Sequence, residues 1–102
     1  MTFEVVFTGE VDRDLEAITD VRTRTAVIRK ALDLDTEPDK QGKALSGNLA
    51  AYRVVRAAGQ RYRVVYQVAS LEDVVTVVVI GIRKEGDKRD VYRVAGRRLG
   101  RD

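Results

Sequence analysis

The sequence contains no cysteine, no histidine and no tryptophan, and its single proline is Pro38. Without cysteine there is neither a disulfide framework nor thiolate chemistry. Without histidine the chain lacks the side chain that titrates closest to neutral pH, which is also the commonest metal ligand. Aromatic residues make up 6% of the chain, too few for a base-stacking platform, so Tyr52, Tyr62 and Tyr66 read as core or rim residues. No apolar run approaches the roughly 20 residues of a spanning helix. The start, MTFEVVF, lacks the positive region and long apolar run of a secretion signal. A cytoplasmic protein with no membrane partner is the expectation. The 102 residues fit one domain, 1–102, with a modest core.

What is abundant is charge, and it is unevenly placed. The net charge of +3 resolves into −4 over residues 1–40, +3 over 41–80 and +4 over 81–102. An acidic first part and a basic remainder suggest a face for a polyanion, because lysines and arginines that neutralise phosphates release condensed counterions.

The element pattern is organised around residues 52–92. Three strand-type runs, Tyr52 to Arg56, Arg61 to Ala69 and Val74 to Arg83, are rich in the valine and tyrosine that pack well on a pleated surface. The short connection at Ala58, Gly59 and Gln60 suits a hairpin. Alternation puts Arg61, Arg63, Val65 and Gln67 on one side of the middle run and Tyr62, Val64, Tyr66 and Val68 on the other. The third run, VVTVVVIGI, is apolar on both sides, as in a strand covered on each face. Simple alternation aligns Arg83 with Val79, Val77 and Val75, and Arg83 and Arg63 are taken to share a face.

Before this meander, residues 2–7 form a first strand, and Val11, Leu15 and Ile18 follow at helical spacing. Asp12, Asp14 and Glu16 then lie in early turns that favour negative charge. Thr19 or Asp20 caps a second helix with apolar positions Val21, Ile28, Ala31 and Leu32, flanked by Val27 and Leu34, which Pro38 cannot extend. Residues 35–50 are a loop. After Gly86 interrupts the last strand, Asp90 serves as N-cap for a helix carrying Val91, Val94, Ala95 and Leu99. Gly96 weakens that helix by about 1 kcal/mol relative to alanine, which marks it as a mobile element. The chain is therefore α+β, a small antiparallel sheet in the order β-α-α-β-β-β with a short C-terminal helix.

Two motif-like strings in the loop fail on inspection. Asp33, Asp35 and Glu37 open like a calcium loop, but Pro38 occupies the glycine position and Ala44 the closing glutamate. Gly42 and Lys43 end like a phosphate-binding loop, but Glu37 replaces its first glycine and Ala44 its hydroxyl.

The elements LSGNL, YRVVRAAGQRYRVVYQV, VVVIGIRKE and DVY, in this order, resemble the RelE branch of the RelE/ParE superfamily, toxins of bacterial type II toxin-antitoxin modules. The resemblance covers essentially the whole chain. It implies a RelE-like microbial ribonuclease-type fold and a toxin that cuts mRNA in the ribosomal A site without metal or cofactor. By the same resemblance a cognate RelB-like antitoxin silences it, and a toxin-antitoxin hetero-oligomer binding operator DNA is the expectation. Residue by residue it assigns Arg63, Arg83 and Tyr92 as catalytic, and Arg53, Arg56, Arg61 and Lys84 as RNA contacts. The family's two lysine positions on the strand after Tyr52 map here to Arg53 and Val55. The link from Arg83 to Tyr92 is longer than in that branch. Two other readings are a ParE-like toxin that binds DNA gyrase without cutting RNA, and a degenerate member kept for antitoxin and operator binding.

Such cleavage needs a base for the 2′-hydroxyl proton, positive charge around the phosphorus and help for the departing 5′-oxygen. Tyrosine ordinarily titrates near pH 10 and arginine above 12. A base role for Tyr92 therefore calls for neighbouring arginines that favour the phenolate.

Overall fold

The computed structural model describes residues 2–100. Strand β1, Glu4–Phe7, leads into helix α1, Gly9–Glu16, whose N-terminus is capped by Thr8. Helix α2, Val21–Leu32, is capped by Asp20, whose carboxylate accepts from the Thr23 amide at 2.9 Å. The connection expected to be irregular contains a short strand β2, Lys43–Ala44, as well as 3-10 turns at Asp33–Asp35 and Gly47–Leu49. Strands β3, Arg53–Ala57, β4, Tyr62–Ala69, and β5, Val74–Ile82, form the meander, and helix α3, Val91–Leu99, closes the chain.

The α+β reading holds, with additions. The five strands run in the order β1-β5-β4-β3-β2, and β1 joins β5 in parallel while the other pairs are antiparallel. The β3–β4 hairpin turns through Gly59 and Gln60, both with positive φ, as a primed turn requires. Strand β5 ends at Ile82, one residue short of the expected Arg83, although the Arg83 amide still donates to the Arg61 carbonyl at 2.8 Å.

One irregularity decides which residues face where. Val65 pairs with Val79 but Tyr66 pairs with Val77, so Val78 is an extra residue in β5. Such a bulge resets the alternation. Val75 and Val77 pack under the helix pair, whereas Val78 and Val79 both turn to the opposite face. The alignment of Arg83 with Val77 and Val75 is thereby corrected: it lines up with Gly81 and Val79.

Helices α1 and α2 cover one face, where Val11, Leu15, Val27, Ala31 and Leu34 meet Val64, Tyr66, Val75 and Val77. Val21 and Leu32, expected in this layer, are 61% and 49% exposed. Ala31 is buried as expected and Ile28 packs against the core, while Val27 and Leu34, expected as flanking positions, are fully buried and complete the stripe. On the other face α3 packs Val91 and Ala95 onto Val54, Val65, Val78 and Val79. Val91 sits over Gly81, where a Cβ would lie 3.4 Å from the Val91 side chain, in van der Waals contact. Among the described residues no helix is long and apolar enough to cross a membrane.

The expected mobility of α3 is not supported by its contacts. Its Arg98 donates to the Asp14 carboxylate at 2.9 and 3.1 Å and to the Val78 carbonyl at 3.0 Å. Asp14 in turn accepts from the Ile80 amide at 3.0 Å. Beyond Val77, where β1 stops pairing, the bulged edge of β5 is thus satisfied by side chains from α1 and α3. Paired backbone and paired charges together offset the cost of burying each alone.

Candidate active site

The site begins at the β3–β4 ladder. Arg56 lies directly opposite Arg63, and Arg63 opposite Gly81, so all three point to the α3 face near the hairpin. Arg83, two residues beyond Gly81, continues that row. Lys43 lies opposite Val54, which packs in the α3-side cluster, and so joins the same face from β2. These residues, with Lys30 from α2 and Tyr92 from α3, line a cavity of about 520 Å³ whose other walls are Gly42, Val54 and Val55. Among the described residues, five cationic side chains and one phenol line it, and no carboxylate does.

The long link from Arg83 to Tyr92 folds back on itself. The Asp87 amide donates to the Lys84 carbonyl and the Asp90 amide to the Asp87 carbonyl, which returns Asp90 to the end of β5. There Asp90, 3% exposed, accepts from Arg83 at 2.7 Å, from the Lys84 amide at 2.6 Å and from the Tyr92 amide at 3.1 Å. One carboxylate therefore fixes Arg83 and caps the helix that carries Tyr92. Burial pushes its pKa up, but the bonds from Arg83 and the two amides outweigh that and hold it below the usual carboxylate range. Arg83 is held above its ordinary value, chiefly by its bond to Asp90. Its guanidinium stands 5.0 Å from the centre of the Tyr92 ring, within cation–π range. Arg63 donates to the Gln60 and Tyr62 carbonyls, and Arg56 to the Gln60 side chain at 3.1 Å.

The structure thus brings Arg56, Arg63, Arg83 and Tyr92 together. Three other sequence-selected residues lie elsewhere. Arg53 faces the helix pair and donates to the Gln41 carbonyl at 2.9 Å. On β3, Val54 and Arg56 face the α3 side, whereas Arg53 and Val55 face the helix pair, with Val55 still forming part of the cavity wall. Arg61 borders a separate hollow beside Asp20 and Thr23, and Lys84 pairs with Asp87 at 3.6 Å.

Lys30 and Lys43 were not legible as site residues. Lys30 reads as one cation on an amphipathic helix, and Lys43 belongs to a two-residue strand with no periodicity. What positions Lys43 is Gly42, with φ of +58°, where a Cβ would stand 2.0 Å from the Val54 carbonyl oxygen. The approach is too close for any side chain. Arg53 and the buried Tyr66 hydroxyl, 2.8 Å from the Pro38 carbonyl and 2.9 Å from that of Gln41, moor the loop just before it.

The family model for the ParE toxin of type II toxin-antitoxin systems, parDE, matches residues 5–87. The chain belongs to the RelE/ParE superfamily of toxins. Solved structures agree with that membership and with its RelE branch. The toxin-antitoxin complex RelBE2 from Mycobacterium tuberculosis is 31% identical, with 81% of this chain and 93% of that chain covered and a TM-score of 0.73. A double arginine-to-alanine mutant of E. coli RelE in the free state matches at 20% identity, covering 92% of this chain and 99% of that chain, TM-score 0.69. The RelE–RelB complex from Pyrococcus horikoshii matches at 20% identity, covering 84% and 100%, TM-score 0.60. At that identity the last two bear on the fold of the toxin. No curated protein matches the sequence.

Proposed function

We propose that this toxin is a metal-independent endoribonuclease that cuts mRNA in the ribosomal A site and so inhibits translation. The observation that carries the reading is the cavity lined by Lys30, Lys43, Arg56, Arg63, Arg83 and Tyr92, with no opposing carboxylate among the described residues, which suits a phosphodiester. The RNA supplies its own nucleophile, the 2′-hydroxyl. Tyr92 takes the hydroxyl proton as the 2′-oxygen attacks phosphorus. Arg63, backed by Arg56, neutralises the non-bridging oxygens, and Arg83 stabilises the charge that develops on the leaving side. Positioning by the ribosome supplies much of the rate, since an oriented nucleophile is worth roughly 7–11 kcal/mol. A cognate antitoxin of the RelB type is the partner that silences the protein, by covering Arg63 and Arg83 or by shifting Tyr92, and the pair is the form that would meet operator DNA.

The matching ParE family model favours a second reading, a toxin that binds DNA gyrase without cutting RNA. The test is a reconstituted translation system with stalled ribosomes, in which mRNA ends are mapped for the wild type and for Arg83→Ala, with ribosome-free mRNA alongside. Cleavage that requires both the ribosome and Arg83 is the expected result. Intact mRNA in the presence of folded wild-type toxin would overturn the nuclease reading and direct the next assay to gyrase.

A further inference from the structure

The five cations that line the cavity are not equivalent. Arg83 is committed to the buried Asp90, Arg63 to the hairpin carbonyls and Arg56 to Gln60. Among the described residues the ammonium groups of Lys30 and Lys43 make no hydrogen bond or ion pair. Those two are the uncommitted cations.

They differ in what they adjoin. Lys30 also borders a hollow beside Asp33 and the β3–β4 hairpin, away from Tyr92. Lys43 and Tyr92 instead both line the cavity and the neighbouring hollow formed by Ala44, Leu45, Ser46 and Leu49. Lys43 and Tyr92 are the residues that the cavity and this hollow share. The close fit of Gly42 against Val54 fixes the backbone from which Lys43 projects.

Proton chemistry separates the cations further. The leaving 5′-oxygen needs a proton, and an ordinary ammonium, near pKa 10.4, releases one far more readily than a guanidinium above 12. The bond to Asp90 makes Arg83 a poorer donor still. With no histidine in the chain, the nitrogen acids that line the cavity are ammonium and guanidinium groups.

We propose that Lys43 is a further catalytic residue, the general acid that protonates the leaving 5′-oxygen, with Arg83 confined to electrostatic stabilisation. This rests on the ribonuclease reading. The 2′-oxygen gives its proton to the Tyr92 phenolate and bonds to phosphorus. The bond from phosphorus to the 5′-oxygen breaks with its electron pair on that oxygen, and the Lys43 ammonium protonates it. A 2′,3′-cyclic phosphate and a 5′-hydroxyl result, and solvent returns both proton carriers to their starting forms. Lys30, Arg56, Arg63, Arg83 and Tyr92, from four other elements and the end of β5, are the charged and titratable groups that line the cavity around this amine.

The test uses ribosomes programmed with a short synthetic mRNA carrying either the natural linkage or a single 5′-bridging sulfur at the cut, because a thiolate leaves without a proton. Lys43→Met is expected to lower single-turnover cleavage of the natural linkage by about 10²–10⁴-fold, the usual worth of a general acid. On the sulfur linkage it should stay within about threefold of the wild type if leaving-group protonation is the lost function. Lys43→Arg, which keeps the charge, should show the same rescue, whereas Tyr92→Phe should be slow on both linkages. Equal loss on both linkages for Lys43→Met, or no loss on either, overturns the role of Lys43 while leaving the nuclease reading intact. A wild type that cuts neither linkage overturns that reading, and this proposal with it.

Discussion

The two faces of the sheet are built to different ends. Under α1 and α2 the strands bury a continuous apolar layer centred on Leu34, Val64, Tyr66 and Val77. Under α3 the apolar layer is smaller, made of Val54, Val65, Val78, Val79, Val91 and Ala95, and the hairpin end of that face is left to Arg56, Arg63 and Arg83. The same three strands supply both faces, so the difference comes from what covers them. A nine-residue helix cannot cover the area that two helices do, and the part left open is the cationic cavity. Burial on the first face stabilises the fold. Restrained burial on the second leaves room for a ligand at the cost of apolar contact.

If that division is right, substitutions on the two faces should separate stability from activity. The largest effect on stability is expected for Leu34→Ala on the hairpin-helix face, a loss of about 2–5 kcal/mol, measured by urea unfolding. Cleavage per folded molecule should be unchanged. Arg63→Ala on the other face should lower the single-turnover rate by roughly 10²–10³-fold, the usual worth of a transition-state charge contact, while the unfolding midpoint stays put.

Arg98→Ala sharpens the contrast, because Arg98 ties the two helical layers together at the bulge. It should cost about 1–3 kcal/mol by leaving the Val78 carbonyl and the Asp14 carboxylate short of a donor. Hydrogen exchange should show α3 opening before the rest of the sheet.

A smaller effect follows from Asp90, whose folded pKa is depressed. Its contribution is complete above the unfolded carboxylate value of about 3.9 and is lost as pH falls through the lower folded value. Stability should therefore decline below about pH 4. In Asp90→Asn, which preserves a capping oxygen, that part of the slope should be absent from acid unfolding curves. The smallest effect is expected for Leu71→Ser at the β4–β5 turn, where the side chain is 97% exposed. Neither stability, within about 0.5 kcal/mol, nor cleavage should change.

Much of this was legible in the sequence, and the exceptions share a cause. The meander, the helix pair, and the caps Asp20 and Asp90 follow from local patterns, because each depends on residues within a few positions. Arg63, Arg83 and Tyr92 were reached through family resemblance, and the sheet register then brings them to one cavity. The bulge at Val78 was hidden because consecutive valines carry no alternation to break. The faces of Arg53 and Arg56 depend on pairing with β4, which alternation within β3 does not specify. The parallel addition of β1, the bond of Arg98 to Asp14 across 84 positions, and the seating of Lys43 beside Val54 are tertiary events with no local signature. A helix weakened by Gly96 looks mobile until Asp90 and Arg98 are seen to hold both its ends.

The most direct test of the central claim is to measure cleavage of ribosome-bound mRNA and urea unfolding on the same preparations of wild type, Leu34→Ala and Arg63→Ala. The account predicts that Leu34→Ala loses stability and keeps its rate under conditions where it is folded, while Arg63→Ala keeps stability and loses its rate. Parallel loss of both properties in both variants, or full activity of Arg63→Ala, would contradict it.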